Sequence, residues 1–252
     1  MNMICSAGKG LVTQEECLAC ALAGAPCHYP YSLVKKLWVN QESRPDIHVS
    51  DIVNCLLKAY MQKVEPRPIY LHDLLVMWYG TVIHEQLEED ETVSEIELKY
   101  KNLVGRADYF KDGLLRDYKT TRWLDLSKLP YGSHVEQLNV YSFMLEEMGY
   151  EVKEIQLVYL DLSGPARCPR CKLSPVYSGG ELICPKCGAS LEHAGVYTMQ
   201  VEKFPHEEME RYINDRLYRL TDALENDYPP VGEPGFMCRY CSFTDCLYRK
   251  GG

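Results

Sequence analysis

Two carboxylates and an amine stand close together in the run Leu103-Val-Gly-Arg-Ala-Asp108-Tyr-Phe-Lys-Asp-Gly-Leu-Leu-Arg-Asp117-Tyr118-Lys119-Thr-Thr. The spacing predicts two short strands joined by a tight Lys111-Asp112-Gly113 connection, with Asp108 near the end of the first and Asp117 and Lys119 on the second. Residues two apart on a strand face the same side, so Asp117 and Lys119 project together, and the hairpin brings Asp108 alongside. Two carboxylates converging on one point repel unless a cation lies between them, and hard oxygen ligands suit Mg²⁺ or Mn²⁺. Such an ion can polarise a phosphate and lower the pKa of a bound water. Lys119 beside it can orient or help deprotonate that water and offset charge building on the phosphate. Taken alone, an Asp-x-Lys pair on a strand is a common surface pattern. Upstream, Gly80-Thr-Val-Ile-His84 adds an imidazole on an expected helix, and downstream Gln137 and Tyr141 lie four apart and so share a helix face.

Twelve cysteines provide a second chemistry. They fall in pairs and clusters, and in a reducing compartment such pairs read as metal ligands rather than disulfides. Cys168-Pro-Arg-Cys171 and Cys184-Pro-Lys-Cys187-Gly188 form two CxxC knuckles. Together they set four thiolates at tetrahedral corners, a structural Zn²⁺ ribbon with no open position for catalysis. The tail carries Cys238, Cys241 and Cys246, which need a fourth ligand from elsewhere; Cys55, outside every local cluster, is the candidate. On spacing, this set suits zinc or an iron–sulfur cluster equally, and it would staple the start of the chain to its end. Cys5, Cys17, Cys20 and Cys27 remain, and they could form a second zinc site, with His28 as a substitute ligand, or simply a cysteine-rich arm.

The elements that must position these groups read as mixed α/β. Helices are expected over His48–Lys63, His72–Glu88, Glu136–Met148 and residues 206–226, from apolar spacing and capping residues. Strands are expected over Ser94–Tyr100, Leu103–Phe110, Leu114–Lys119, Glu154–Leu162 and Val196–Phe204, with the four-cysteine ribbon inserted between the last two. Residues 1–30 show little periodicity.

Composition bounds the rest. A chain of 252 residues with 46% hydrophobic residues can bury a substantial core. It has no apolar run near the roughly 18 residues of a membrane span, and its first residues lack a secretory pattern. The expected location is the cytoplasm. The formal net charge of -9 argues against a protein that coats nucleic acid by bulk attraction, though not against a local basic groove.

The ordered set Gly-x3-His, Gly-Arg-Ala-Asp, Asp-Tyr-Lys-Thr, Gln-Leu-x2-Tyr and a C-terminal cysteine triplet resembles the RecB-type nucleases of the PD-(D/E)XK superfamily. It is most similar to the fourth family of CRISPR-associated proteins, and the segment His48-Val-Ser-Asp-Ile-Val-Asn-Cys55 resembles the stretch supplying that family's first cluster cysteine. The resemblance covers residues 48–163 and 196–250. It implies a restriction-endonuclease-like core over 48–163 and 196–234, an N-terminal extension over 1–47, an inserted ribbon over 164–195 and a cluster segment over 235–252. It implies that His84, Asp108, Asp117 and the Tyr118 carbonyl hold Mn²⁺ or Mg²⁺, that Lys119 is catalytic, and that Gln137 and Tyr141 support the site or the DNA. It further implies a [4Fe–4S] cluster on Cys55, Cys238, Cys241 and Cys246. The activity it implies is DNA exonuclease action, trimming spacers beside the integrase in CRISPR adaptation, an antiviral defence. The tail departs from the family spacing, Cys-x2-Cys-x4-Cys standing where Cys-x2-Cys-x5-Cys is usual, and the ribbon and N-terminal cysteines are additions. Two other readings stand beside this one: a catalytically idle DNA-binding scaffold, and a nuclease of recombination or mobile elements. A cluster-based redox sensor is a third. Arg116, Arg122 and Trp123 flank the site and could meet phosphate or a base.

Overall fold

The computed structural model describes residues 3–24, 26–39, 46–88, 94–121, 124–162, 166–172, 182–193 and 195–251; Arg122 and Trp123 lie outside them. The chain divides into two compact units, Met1–Gln86 with Tyr212–Gly252, and Leu87–Arg211.

The first unit opens with two short strands, β1 (Met3–Ile4) and β2 (Leu11–Val12), followed by helices α1 (Gln14–Leu22) and α2 (Tyr31–Val39). The start of α1 is a capping box. Thr13 Oγ1 accepts from the Glu16 N–H at 3.2 Å while Glu16 Oε2 accepts from the Thr13 N–H at 2.8 Å, satisfying two donors at the helix start. Met3, Val34, Leu37 and Trp38 from this region form one buried cluster with Leu71 and Leu74. This N-terminal region therefore shares an apolar core with the chain at Leu71 and Leu74.

Next come β3 (Ile47–His48), α3 (Val49–Val53), α4 (Leu56–Val64), β4 (Ile69–Tyr70) and α5 (Leu71–Glu88). β4 pairs parallel with β1, which pairs antiparallel with β2. The helix expected over His48–Lys63 is thus two helices. Asn54 is extended (φ -108°, ψ -174°), and its side-chain amide donates to Ser50 O at 2.9 Å. The carbonyls that the break releases are taken by Arg216, which donates to Ile52 O and, at 2.6 Å, to Asn54 O. Glu233 grips the same guanidinium through both oxygens, at 2.6 and 2.7 Å. A bidentate charge-assisted pair of this kind is among the stronger polar contacts. It fixes Cys55 at the start of α4.

In the second unit, β5 (Ser94–Tyr100), β6 (Leu103–Lys111) and β7 (Leu114–Thr121) form an antiparallel meander. Asp112 and Gly113 both have positive φ (52° and 86°), the backbone of a two-residue type I′ hairpin, which Asp-Gly favours. Helix α6 (Gly132–Glu147) then crosses over to β8 (Glu154–Asp161), which lies parallel to β7. β9 (Ala166–Arg167) and β10 (Glu192–His193) pair with each other beyond the end of β8, and β11 (Val196–Val201) returns antiparallel to β8. The strands of this unit run in the order β5-β6-β7-β8-β11, a mixed sheet. Helix α7 (His206–Glu225) follows.

α6 starts four residues earlier than the sequence pattern predicts. Its N-cap, Tyr131, has its N–H satisfied by the hydroxyl of Tyr159 on β8 at 3.1 Å, a tertiary cap with no local sequence signature. Every residue from Leu138 to Leu145 is buried, while Met148 is exposed. The helix is covered on more than the single face formed by Leu138, Tyr141, Leu145 and Met148. Asn139 ties it down: its amide donates to Val135 O (3.0 Å) and Glu202 O (3.2 Å), and its carbonyl accepts from the Phe204 N–H (2.7 Å). No helix among the described residues is long and apolar enough to cross a membrane.

Candidate active site and cysteine centres

The parallel register pairs Asp117 with Leu157, Lys119 with Tyr159 and Thr121 with Asp161. Side chains two apart share a face, so Asp117 and Lys119 on β7 stand beside Tyr159 and the buried Asp161 on β8. On the other side of β7 the antiparallel register runs from Lys111↔Leu114 to Tyr109↔Arg116. One step further along, the Tyr118 N–H donates to Asp108 Oδ2 at 2.8 Å. A strand residue's N–H and C=O point to the same strand edge, so the Tyr118 carbonyl faces the β6 side as well.

Lys119 is the hub. Its Nζ lies 2.7 Å from Asp117 Oδ2 and donates to Gln137 Oε1 at 2.6 Å. Gln137 Nε2 in turn donates to the Tyr141 hydroxyl at 2.8 Å. The i, i+4 pair on α6 thus hangs over the carboxylate–amine pair on β7, and Tyr141 is both core and site, at 6% exposure. The ion pair is sheltered, with the Asp117 side chain 3% exposed and that of Lys119 20%.

The surroundings are dry and mostly neutral. Burial, and then the nearby Asp117 and Asp108 carboxylates, raise the Tyr141 hydroxyl well above its ordinary pKa. Burial, with a smaller push from Asp117, takes Tyr159 to about 12. His134, whose Nδ1 lies 3.1 Å from the Tyr159 hydroxyl, is lowered to about 4 by burial and then by the Lys119 charge. Low dielectric around Asp117 and Lys119 strengthens whatever charge they act on.

His134, Arg106, Tyr159 and Asp161 join the anticipated residues. His134, Gln137 and Tyr141 form an i, i+3, i+7 stripe on α6, a signal present in the sequence. Arg106, two residues before Asp108 on β6, shares its strand face and reaches Tyr141 electrostatically. Tyr159 and Asp161 need the β7–β8 register to be recognised. His84 lies on α5 in the first unit.

Oxygen donors from Asp108, Asp117 and the Tyr118 carbonyl are the hard ligands that Mg²⁺ or Mn²⁺ prefers, and a buried carboxylate favours a compensating cation. The donor set fits such an ion.

The knuckle cysteines gather tightly. Cys168, Cys171, Cys184 and Cys187 have sulfurs all within 4.8 Å of one another. Cys168 and Cys187 are 3.6 Å apart, close to the roughly 3.8 Å edge of a tetrahedron with metal–sulfur bonds of about 2.3 Å. Gly188, at φ 68°, closes the second knuckle with its N–H on Cys184 O at 2.9 Å, and the Cys171 N–H points at Cys168 Sγ at 3.3 Å. Hydrogen bonding to Cys187, followed by burial, pushes the Cys171 thiol up to about 12. Four thiols this close shed their protons together only around a cation. A quartet that can bind a metal is therefore built into the segment between β8 and β11.

The tail cysteines sit on a segment folded back against α4. Arg67 pairs with Asp245 and lies 4.9 Å over the ring of buried Phe243. Tyr60 donates to Asp227 at 3.1 Å. A Cβ on Gly232 would meet the Tyr248 ring at 2.4 Å and Leu57 at 3.0 Å, so the tail approaches α4 two residues from Cys55. Cys55, Cys238, Cys241 and Cys246 are all half-buried free thiols. Cys55 and the tail cysteines thus come from the two chain segments that make up this unit. Cys5, Cys17, Cys20 and Cys27, also half-buried and free, line one cavity beside β1, β2 and α1. Burial, and less strongly the three other sulfurs, raise the Cys17 thiol.

A mixed sheet crossed by one helix, with two aspartates and a lysine on adjacent central strands, defines a class of metal-dependent phosphodiesterases. The sequence profile of the PD-(D/E)XK nuclease superfamily matches residues 32–246, most of the chain, and the protein belongs to that superfamily. Its fold is the restriction-endonuclease-like α/β fold, and PD-(D/E)XK nucleases use divalent metals. No curated protein matches the sequence. Among solved structures, SSO0001 is similar at 17% identity and a TM-score of 0.49, covering 86% of this chain and 95% of that one. An alkaline exonuclease from Laribacter hongkongensis is similar at 12% identity and a TM-score of 0.42, covering 76% and 95%. A phage-related exonuclease from Haemophilus somnus 129PT follows at 10% and 0.41, covering 73% and 95%.

Proposed function

We propose that this protein is a divalent-metal-dependent deoxyribonuclease that acts as an exonuclease on single-stranded DNA or duplex ends. The observation that carries the reading is the sheltered Asp117–Lys119 pair at 2.7 Å, with Asp108 on the adjoining strand and Gln137 holding the lysine from above. Asp108, Asp117 and the Tyr118 carbonyl would hold Mn²⁺ or Mg²⁺; His84 is assigned to the same ion by the family resemblance alone. Such an ion, when bound, supplies Lewis-acid polarisation of the phosphate and acidifies water. Lys119 then orients the attacking water and offsets charge growing on the phosphate. Gln137 keeps the ammonium aimed, and Tyr141 keeps Gln137 from turning. Arg106, on the Asp108 face, meets the DNA backbone.

We assign Zn²⁺ to the Cys168 quartet and a [4Fe–4S] cluster to Cys55, Cys238, Cys241 and Cys246, both as staples. The ordered motifs support a place in CRISPR adaptation, trimming DNA for the integrase. The test is a nuclease assay on end-labelled DNA with Mn²⁺, Mg²⁺ or EDTA, comparing Asp108→Ala with wild type. Metal-dependent cutting that Asp108→Ala abolishes supports the reading. Binding without cutting in wild type contradicts it and favours an idle scaffold.

A further inference from the structure

Cys5 follows β1 in the turn towards β2, Cys17 and Cys20 are three apart on α1 and so share a helix face, and Cys27 precedes α2. The four sulfurs converge from three separate elements: Cys5, Cys20 and Cys27 all lie within electrostatic reach of Cys17, and all four line a single cavity. Its volume is about 340 Å³, whereas one water-sized particle needs roughly 10–15 Å³ of such space. The rest of the lining is largely apolar, including Met3, Leu11, Val12 and Val34.

The molecule contains its own standard for comparison. The Cys168 quartet has already closed to single-ion spacing. Among the described residues no other three ligand groups do so, and the N-terminal sulfurs therefore stand wider apart around their cavity. The backbone that carries them is anchored. Met3 on β1 is 1% exposed in the core, and α1 is fixed at its start by the Thr13–Glu16 capping box.

We infer that Cys5, Cys17, Cys20 and Cys27 bind a [4Fe–4S] cluster of their own. Such a cluster gives each cysteine a separate iron, and so spaces the four sulfurs more widely than one tetrahedral ion does. The site also supplies donors to the sulfurs, a feature that tunes clusters. The Ala7 N–H points at Cys5 Sγ at 3.4 Å and Lys9 Nζ at Cys20 Sγ at 3.5 Å. Gly8 and Gly10, at φ 78° and 81°, allow the turn that delivers both groups. The inference does not rest on the nuclease reading, nor on the metal assigned to the tail.

The test uses the full chain purified without oxygen, with iron, acid-labile sulfide and zinc measured per chain. Four proteins are compared: wild type, Cys17→Ala/Cys20→Ala, Cys238→Ala/Cys241→Ala, and all four substitutions together. The inference predicts that the tail variant keeps iron and sulfide in equal amounts, and that adding the two N-terminal substitutions removes both. A tail variant free of iron overturns it, as does zinc, rather than iron, lost on substituting Cys17 and Cys20. If a variant does not fold, thiol alkylation of native wild type read by mass spectrometry decides. Cys5, Cys17, Cys20 and Cys27 should resist labelling until oxidation releases the iron, and labelling at full iron content overturns the inference.

Discussion

Asp117 and Lys119 stand on a central strand backed by Leu115, Leu157 and Tyr159, each fully buried. Cys168 and Cys187, by contrast, are held by two knuckles, a pair of two-residue strands and a small apolar cluster of Ala166, Cys168, Cys184 and Leu191. In the first region the core positions the chemistry. In the second the residues are too few to bury much surface, and a metal on the quartet would position the fold. The two regions should therefore respond differently to the loss of a ligand.

The largest difference is expected at the ribbon. Structural zinc sites contribute apparent free energies of about 10–16 kcal/mol. Cys184→Ala should thus release one metal ion and open the segment between β8 and β11 to protease. The sheet should keep its melting transition. A collapse of the whole protein would show that the ribbon also supports the sheet.

The site wall comes next. An unfolded histidine takes up a proton as the pH falls below about 6.5, whereas folded His134 does so only near 4. Stability from this group is therefore complete above pH 6.5 and declines as the pH drops towards 4, by roughly 3 kcal/mol at most. Urea unfolding at pH 7.5 and pH 5 should show a steeper acid loss in wild type than in His134→Gln. Equal acid losses would mean that His134 takes up its proton in the fold as readily as in the unfolded chain.

Asn139→Ala removes three hydrogen bonds and leaves the Glu202 carbonyl and Phe204 N–H without it. A cost of about 1–3 kcal/mol is expected in denaturant unfolding, with α6 loosened over the site. The smallest effect belongs to Tyr141→Phe, which keeps the ring in the core and removes only the hydroxyl on Gln137. Stability should change by about 1 kcal/mol and cutting should slow by roughly tenfold, in kcat more than in KM. A change in KM alone would place Tyr141 in DNA binding.

The contrast between the regions also explains what could be read from the residues. Strands β5 to β7 follow from alternation and from Asp112-Gly113, because hairpins are local. The Cys168 quartet follows from two knuckles, which are local too. The break at Asn54 does not, since Arg216, more than 150 residues away, takes the carbonyls that the break exposes. Tyr159 and Asp161 join the site only through a parallel register set by a crossover helix. His134 was readable as part of a stripe with Gln137 and Tyr141 but carries no motif of its own. The start of α1 was readable as well, because Thr13-Gln-Glu-Glu16 is a capping box; the cysteines nearby obscured it.

The central claim is that Lys119, held between Asp117 and Gln137, works in metal-dependent DNA cleavage. The direct measurement is an anaerobic nuclease assay on 5′- and 3′-labelled single-stranded and duplex DNA with Mn²⁺, Mg²⁺ or EDTA, comparing wild type with Lys119→Ala at matched cysteine-site metal content. The account predicts cutting that needs the divalent ion and falls by at least about a thousandfold in the variant. Equal cutting by Lys119→Ala, or none by the fully loaded wild type, would contradict it.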